Sequence, residues 1–221
     1  MRLQLENLMN SINSSLMTLL VTIAVVLSLF GCSSAPNSTS YYLLNNQVSA
    51  SAINQQELAG SPSIESEKAT VLLSVQLADY LNSPYLVMQI NQHKIEYATF
   101  HMWAEPLADS SFNALLSDLN LVSTTLKFKP EPQFRGTKAN EQAELLVQIN
   151  YFHVTAQSKV ILSGRYEYKS HKGADLDVSQ NDTQAFSFES PLQQDGYSDS
   201  VAQMRDLVTQ LAKQIASNVA Y

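Results

Sequence analysis

One cysteine in a chain of 221 residues excludes an internal disulfide framework and any structural zinc site built on thiolates. Glycine is scarce as well, at six residues. The five beyond the N-terminal apolar run, Gly60, Gly136, Gly164, Gly173 and Gly196, never fall within eight residues of one another. Neither a P-loop nor a dinucleotide-binding G-x-G-x-x-G can therefore be written, and a G-x-S-x-G nucleophile elbow is missing too. Positive charge is thin: 13 lysines and arginines stand against 20 aspartates and glutamates, a net charge of −7, with no basic cluster. That balance excludes the electrostatic footprint of a nucleic-acid-binding protein and a charge-based grip on anionic lipid. The four histidines, His93, His101, His153 and His171, show neither i, i+4 spacing nor a paired carboxylate, so no metal site is expected. No motif asks for a cofactor.

What the chain does have is apolar mass, 45% of its residues, with 9% aromatic and only 15% charged side chains. Such a composition buries a core beneath a surface rich in Ser, Asn and Gln. From Leu16 to Phe30 the sequence LMTLLVTIAVVLSLF runs fifteen residues without a charge. It is shorter than a spanning helix and has the length of a signal-peptide apolar region. Leu29-Phe30-Gly31-Cys32 then resembles the bacterial lipobox, with a small residue before the cysteine and Ser33-Ser34 behind it. A lipobox implies that diacylglycerol alkylates the Cys32 thiol, that residues 1–31 leave as a signal peptide, and that the new N-terminus is acylated. Cys32 is then a membrane anchor, since several acyl chains together hold a protein on a bilayer where one alone does not. Ser33 behind the cysteine resembles the signal for sorting to the outer membrane. Met1, Met9 and Met17 stay open as the translation start. Residues 32–40 read as a flexible lipidated tether, and residues 41–221 as one domain, because about 190 residues suit a single compact core.

Within that domain Tyr41 to Leu44 reads as a first strand, and Asn45 to Lys68 as a long loop broken at Gly60-Ser61-Pro62. Thr70 to Leu81 opens as a nearly continuous branched apolar run, the pattern of a central strand covered on both faces. YLVMQI and KIEYATF, separated by Asn91-Gln92-His93, form a hairpin candidate. From Pro106 the period becomes helical, with Leu107, Phe112, Leu115, Leu116 and Leu119 on one side and an end near Asn120. LVSTTLKF, AELLVQINYFHVTA, SKVILSGRYEYKS and TQAFSFES are strand candidates, the middle two close enough to pair as an antiparallel hairpin. In AELLVQINYFHVTA the alternation puts Leu145, Val147, Ile149 and Tyr151 on one face. The last segment carries the plainest helical stripe, Val201, Met204, Val208, Leu211, Ile215 and Val219, with Asp199 and Ser200 as capping candidates. Strands interleaved with two helices make an α/β fold on a mixed sheet.

Catalytic chemistry is not suggested. His153 continues the apolar face of its strand and reads as structural, and Asp175, Asp177 and Asp182 read as a solvated turn lacking the glycine of an EF-hand. Glu105 beside Trp103 has no second carboxylate at a spacing that glycoside chemistry needs. What remains is recognition surface: Tyr41, Tyr42, Tyr80, Tyr85, Tyr97, Trp103, Tyr166, Tyr168 and Tyr197 supply amphipathic rings, a minority of them expected to touch a partner.

In order along the chain, Cys32 in its lipobox, YYLL, VQLADYLNSPYLVMQ leading into HMWAEPL, LSGRYEY, and QQDGYSDSVAQMRDLVTQLAKQIA together resemble the ABC-type transport auxiliary lipoprotein family. The resemblance implies a single three-layer α/β/α domain with a mixed sheet and no catalytic residues. It also implies a lipoprotein on the periplasmic face of the outer membrane. There it would be auxiliary to mammalian-cell-entry or paraquat-inducible transport systems that move lipid or other hydrophobic molecules between the membranes. The implied partner is a mammalian-cell-entry-domain protein, with phospholipid and a second copy of the chain as further partners. Rings and prolines on loops beside strand ends are hard to justify by core packing, so Asp79, Tyr80, Tyr85, Met102, Trp103, Glu105 and Pro106 are the expected partner- or ligand-facing residues. Two other functions compete. One is an adaptor for a different envelope assembly with no lipid cargo. The other is an anchored hydrolase, which requires Glu105, His101, His153 and the loop aspartates to converge.

Overall fold

The computed structural model describes residues 17, 38–45, 68–132, 143–170, 182–194 and 196–219. The chain divides into Met1–Ser38 and a second unit, Thr39–Tyr221. Cys32, the signal peptide apart from Met17 and most of the tether lie outside the described residues, as do His171, Asp175 and Asp177. The second unit contains β1 (Ser40–Tyr42), β2 (Ala69–Leu77), a 3-10 turn (Asp79–Leu81), β3 (Tyr85–Asn91), β4 (Lys94–Trp103), α1 (Leu107–Val122), β5 (Leu126–Pro130), β6 (Ala143–Thr155), β7 (Lys159–Lys169), β8 (Asp182–Pro191) and α2 (Tyr197–Val219).

All eight strands join one mixed sheet, and β6 is its axis. On one side β6 pairs antiparallel with β7 along almost its whole length, and β7 in turn pairs with β8. On the other side its first half, up to Ile149, pairs in parallel with β2, which carries β5. Its far end, Val154 and Thr155, pairs in parallel with β3, which carries β4 and then β1. The chain therefore leaves β6 at the end of β2, makes the 3-10 turn, and rejoins β6 as β3. This splits one flank of the sheet in two, with a gap between the halves.

Both helices pack on one face of this sheet, α1 on β2 and β5, α2 on β6, β7 and β8, and each on the other. The α/β class and mixed sheet are as expected. Of the three expected layers the described residues supply two, because no described helix lies on the second face. All six residues of the α2 stripe are buried, together with Leu207 and Ala212. Their partners on the sheet are Leu145, Val147, Phe152, Leu162, Tyr166 and Phe186, each nearly inaccessible. Full burial of each such side chain contributes about 1.5–3 kcal/mol. A bidentate ion pair ties the helices together: Arg205 donates from Nη1 and Nη2 to the two oxygens of Asp118 at 2.6 Å each, and Thr209 Oγ1 donates to Oδ2 at 2.9 Å. Asn120 closes α1 onto β5 by bonding both the N–H and the C=O of Phe128, as a neighbouring strand would. Asp199, expected as a helix cap, instead accepts from the N–H groups of Gln193 and Gln194 in the preceding loop. β1 is shorter than the expected strand, since Leu43 and Leu44 lie beyond its pairing with β4.

Candidate functional site

The side chains on the uncovered face are arranged by one irregularity. Between Ile149 and Tyr151, β6 advances two residues while β7 advances one, so Asn150 is the extra residue of a β-bulge. An extra residue reverses the alternation: Leu145, Val147 and Ile149 face the helices, but so do Phe152 and Val154. Tyr151 and His153 consequently point to the open face, correcting the expectation that both continue the Leu145–Ile149 side. Across the bulge stands Gly164, paired with Ile149. A Cβ there would lie 1.9 Å from the Gln148 carbonyl oxygen and 3.0 Å from Phe186 Cζ, so only glycine fits.

The bulge carbonyls are taken up by the 3-10 excursion. Ala78 N–H donates to Ile149 O at 2.9 Å, and the Tyr80 hydroxyl donates to Asn150 O at 3.0 Å. This docks Tyr80 onto the open face, where its ring meets His153 edge-on at 6.0 Å; Tyr151 meets the same imidazole at 6.0 Å. Tyr97 of β4 closes the group by donating its hydroxyl to Tyr80 O at 3.2 Å. Burial, followed by the neighbouring Tyr151 and Tyr97 hydroxyls, pushes the Tyr80 phenol above the usual tyrosine range. His153 is 2% exposed beneath the rings, and burial lowers its pKa. Its Nδ1 lies 3.1 Å from Val154 O, where Nδ1–H donates. Burial thus disfavours the charged form of the imidazole. Tyr97 and Tyr151 keep 44% and 48% of their surface exposed.

The two sequence stretches expected to face a partner do adjoin, at the gap in the sheet. Trp103 N–H donates to Pro84 O at 2.7 Å, and Asn82, Ser83, Pro84, Glu105 and Pro106 line a shallow cleft of about 330 Å³ there. Their individual placements differ. Asp79 is exposed, Tyr80 belongs to the ring cluster, and Tyr85 and Met102 are half-buried cross-strand partners. Trp103 is 6% exposed and belongs to the core, because β4 runs to that residue and turns its ring toward the helices. Core packing does account for this ring. Tyr151 and Phe100 were absent from the expected set.

Elsewhere the open face is a polar ladder. Gln76, Gln148 and Arg165 are cross-strand neighbours on β2, β6 and β7; Arg165 Nε donates to Gln148 Oε1, and Gln148 Nε2 donates to Gln76 Oε1. Among the described residues, those that a hydrolase would bring together have separate surroundings. His101 stacks on Tyr197 at 3.6 Å and shares a hydrogen bond with Tyr42 on the helix face; His153 is under the tyrosines of the other face; Glu105 is in the cleft. Among the described residues no group of three or more His, Cys, Asp or Glu is placed to hold a metal ion, and no helix is long and apolar enough to cross a membrane.

Fold and site together define a class: an α/β domain that buries one sheet face under helices and presents the other. The model of the ABC-type transport auxiliary lipoprotein component family matches residues 47–216, and the chain belongs to that family. It is accordingly a lipoprotein of the cell envelope, associated with a transport system. No curated protein sequence gives a significant match. Among solved structures, the crystal structure of an uncharacterized protein superposes with a TM-score of 0.64 at 21% identity, covering 82% of this chain and 99% of the other. Protein XCC0632 from Xanthomonas campestris superposes with a TM-score of 0.51 at 13% identity, covering 70% and 85% respectively. At these identities the likeness establishes the fold.

Proposed function

We propose that this chain is the anchored auxiliary lipoprotein of a mammalian-cell-entry or paraquat-inducible transport system that moves lipid or other hydrophobic molecules between the inner and outer membranes. On this reading residues 1–31 are a signal peptide, acylated Cys32 holds the tether 32–40 on the periplasmic face of the outer membrane, and residues 41–221 dock the transport protein. The observation that carries the reading, beside family membership, is the open-face cluster of Tyr80, Tyr97 and Tyr151, brought together from the 3-10 turn, β4 and β6 and tied by the Tyr80 and Tyr97 hydroxyls. Half-exposed tyrosines with fixed rings give contact area at small entropic cost. The test is in-cell photo-crosslinking from position 151, with position 121 on α1 as the control, followed by identification of the captured protein. A mammalian-cell-entry-domain protein captured from 151 and not from 121 is the expected outcome. Reproducible capture of a different envelope assembly would overturn the transport assignment and leave the anchor standing.

A further inference from the structure

The described domain exposes six large apolar side chains; Tyr97 and Tyr151 belong to the ring cluster, and three others gather along one edge: Tyr41 at 64%, Leu43 at 50% and Phe100 at 42%. Their grouping follows from the pairing of β1 with β4. Tyr41 sits beside Met102 in parallel register and Ser40 beside His101, which puts Phe100 next to the point where the chain enters β1. Tyr42, His101 and Trp103 turn to the helix face, so Tyr41 and Met102 turn to the other, and Leu43 follows Tyr41; Phe100 precedes this paired stretch, in the irregular part of β4 where five residues match two of β3, and is itself exposed. This edge carries no unpaired cation among the described residues: Lys94 is bonded to Glu96, and the next lysine along the chain is Lys127 on β5.

This is also the edge from which the tether leaves. Ser40 lies eight positions beyond Cys32. Such a chain spans at most about 29 Å, and as a flexible coil about 16 Å. An acylated Cys32 therefore confines β1 to a shell next to the bilayer surface, at an effective concentration that makes even weak contacts persist. Tyrosine settles at the boundary between headgroups and acyl chains, and phenylalanine and leucine supply the apolar face that interfacial elements bury there.

We propose that the β1–β4 edge, through Tyr41, Leu43 and Phe100, rests in the interfacial layer of the leaflet that holds the acyl chains. The partner is a lipid surface recognised by apolar contact, not by headgroup charge. Contact at this edge fixes the orientation of the domain and leaves the tyrosine cluster around Tyr151, on the inner part of the same face, at a set height above the membrane. The inference rests on the lipid-anchor reading.

The experiment uses the full acylated protein reconstituted into phosphatidylethanolamine–phosphatidylglycerol vesicles, with or without brominated acyl chains as quenchers. Tyr41→Trp and Phe100→Trp report from the edge and Leu121→Trp from α1, each read as a difference from the wild type with its single Trp103. Mass spectrometry of the same preparations reads acylation at Cys32. The expected result is acylated protein in which brominated lipid removes emission at 41 and 100 but not at 121, equally at low and high salt. Acylated protein with no quenching at 41 and 100, or quenching that high salt abolishes, overturns the proposal while leaving the anchor intact. Absence of acylation at Cys32 overturns the anchor, and this inference with it.

Discussion

Replacing Gly164 with alanine is expected to be among the most damaging single-methyl changes in the domain. The added Cβ would fall 1.9 Å from the Gln148 carbonyl oxygen, whereas contacts under 3.0 Å are essentially never seen. β6 and β7 would have to part by about 1 Å at a point where both are close-packed. The obstacle is backbone rather than the tip of a flexible side chain, and Phe186 Cζ at 3.0 Å blocks escape on the other flank. Overpacking normally costs about 1–3 kcal/mol, and this site belongs at the upper end, about 3 kcal/mol. For a domain of this size each kcal/mol lowers Tm by roughly 2–4 °C, so a fall of roughly 6–12 °C is expected. Urea unfolding of Gly164→Ala and of the neighbouring Ser163→Ala, followed by far-UV and near-UV circular dichroism, measures it. Near-UV tyrosine signals should change as well, because Tyr80 is held by the bulge carbonyl of Asn150. If Gly164→Ala lies within about 0.5 kcal/mol of wild type, the bulge does not depend on glycine and the reasoning is refuted.

Other expectations follow from the same geometry. Asp118→Ala should cost about 3 kcal/mol by stranding Arg205 between the helices, the low end for a buried pair because the Arg205 side chain stays 16% exposed; a double-mutant cycle with Arg205→Met should show strong coupling. An unfolded histidine takes up a proton near pH 6.5, while burial lowers the pKa of folded His153. Between those two values the unfolded state binds more protons, so stability is full above about pH 6.5 and declines as pH falls below it. His153→Phe should flatten that acid limb, and equal slopes for the two proteins between pH 7 and pH 5 would contradict it. Trp103→Ala should cost about 3–5 kcal/mol as a core deletion, whereas Tyr151→Ala should leave the thermal transition within about 1 kcal/mol of wild type and weaken capture of the transport partner.

Elements with long periodic patterns were legible in the sequence, and the ring cluster was not. The α2 stripe, the β3–β4 hairpin and the β6–β7–β8 strands read directly from alternation and helical spacing, since burial of one face imposes the period. The face on which Tyr151 lies is not legible, because strict alternation through Asn150 has no place for the extra residue. A signal was present: a glycine inside a strand, Gly164, opposite the suspect position marks a bulge. Trp103 misled for the opposite reason. It is the last residue of a long strand, just before Glu105-Pro106, which looks like a loop locally, yet the register of β1 on β4 places it in the core. Tyr80 was legible as a ring near a turn, but its hydrogen bond to a carbonyl seventy residues away belongs to tertiary structure alone.

The bulge also bears on how strongly the open face can hold a partner. A docking surface loses affinity for every side chain it must order on contact. Here Tyr80 is fixed by Asn150 O and Tyr97 by Tyr80 O, and Tyr151 stands on a strand whose opposite side packs against residues with almost no exposure. The ordering has been done by folding. A partner meeting these rings would therefore bind a surface already in its bound form, and substitutions within it should act mainly on dissociation. Tyr80→Phe separates the two contributions: it keeps the ring and removes the bond to the bulge. It should leave Tyr97 and Tyr151 in place chemically but loosely held, so that partner complexes form at the wild-type rate and dissociate faster. A slower association rate with unchanged dissociation would show instead that Tyr80 acts through direct contact in the encounter, and that rigidity of the cluster is not what the bulge provides.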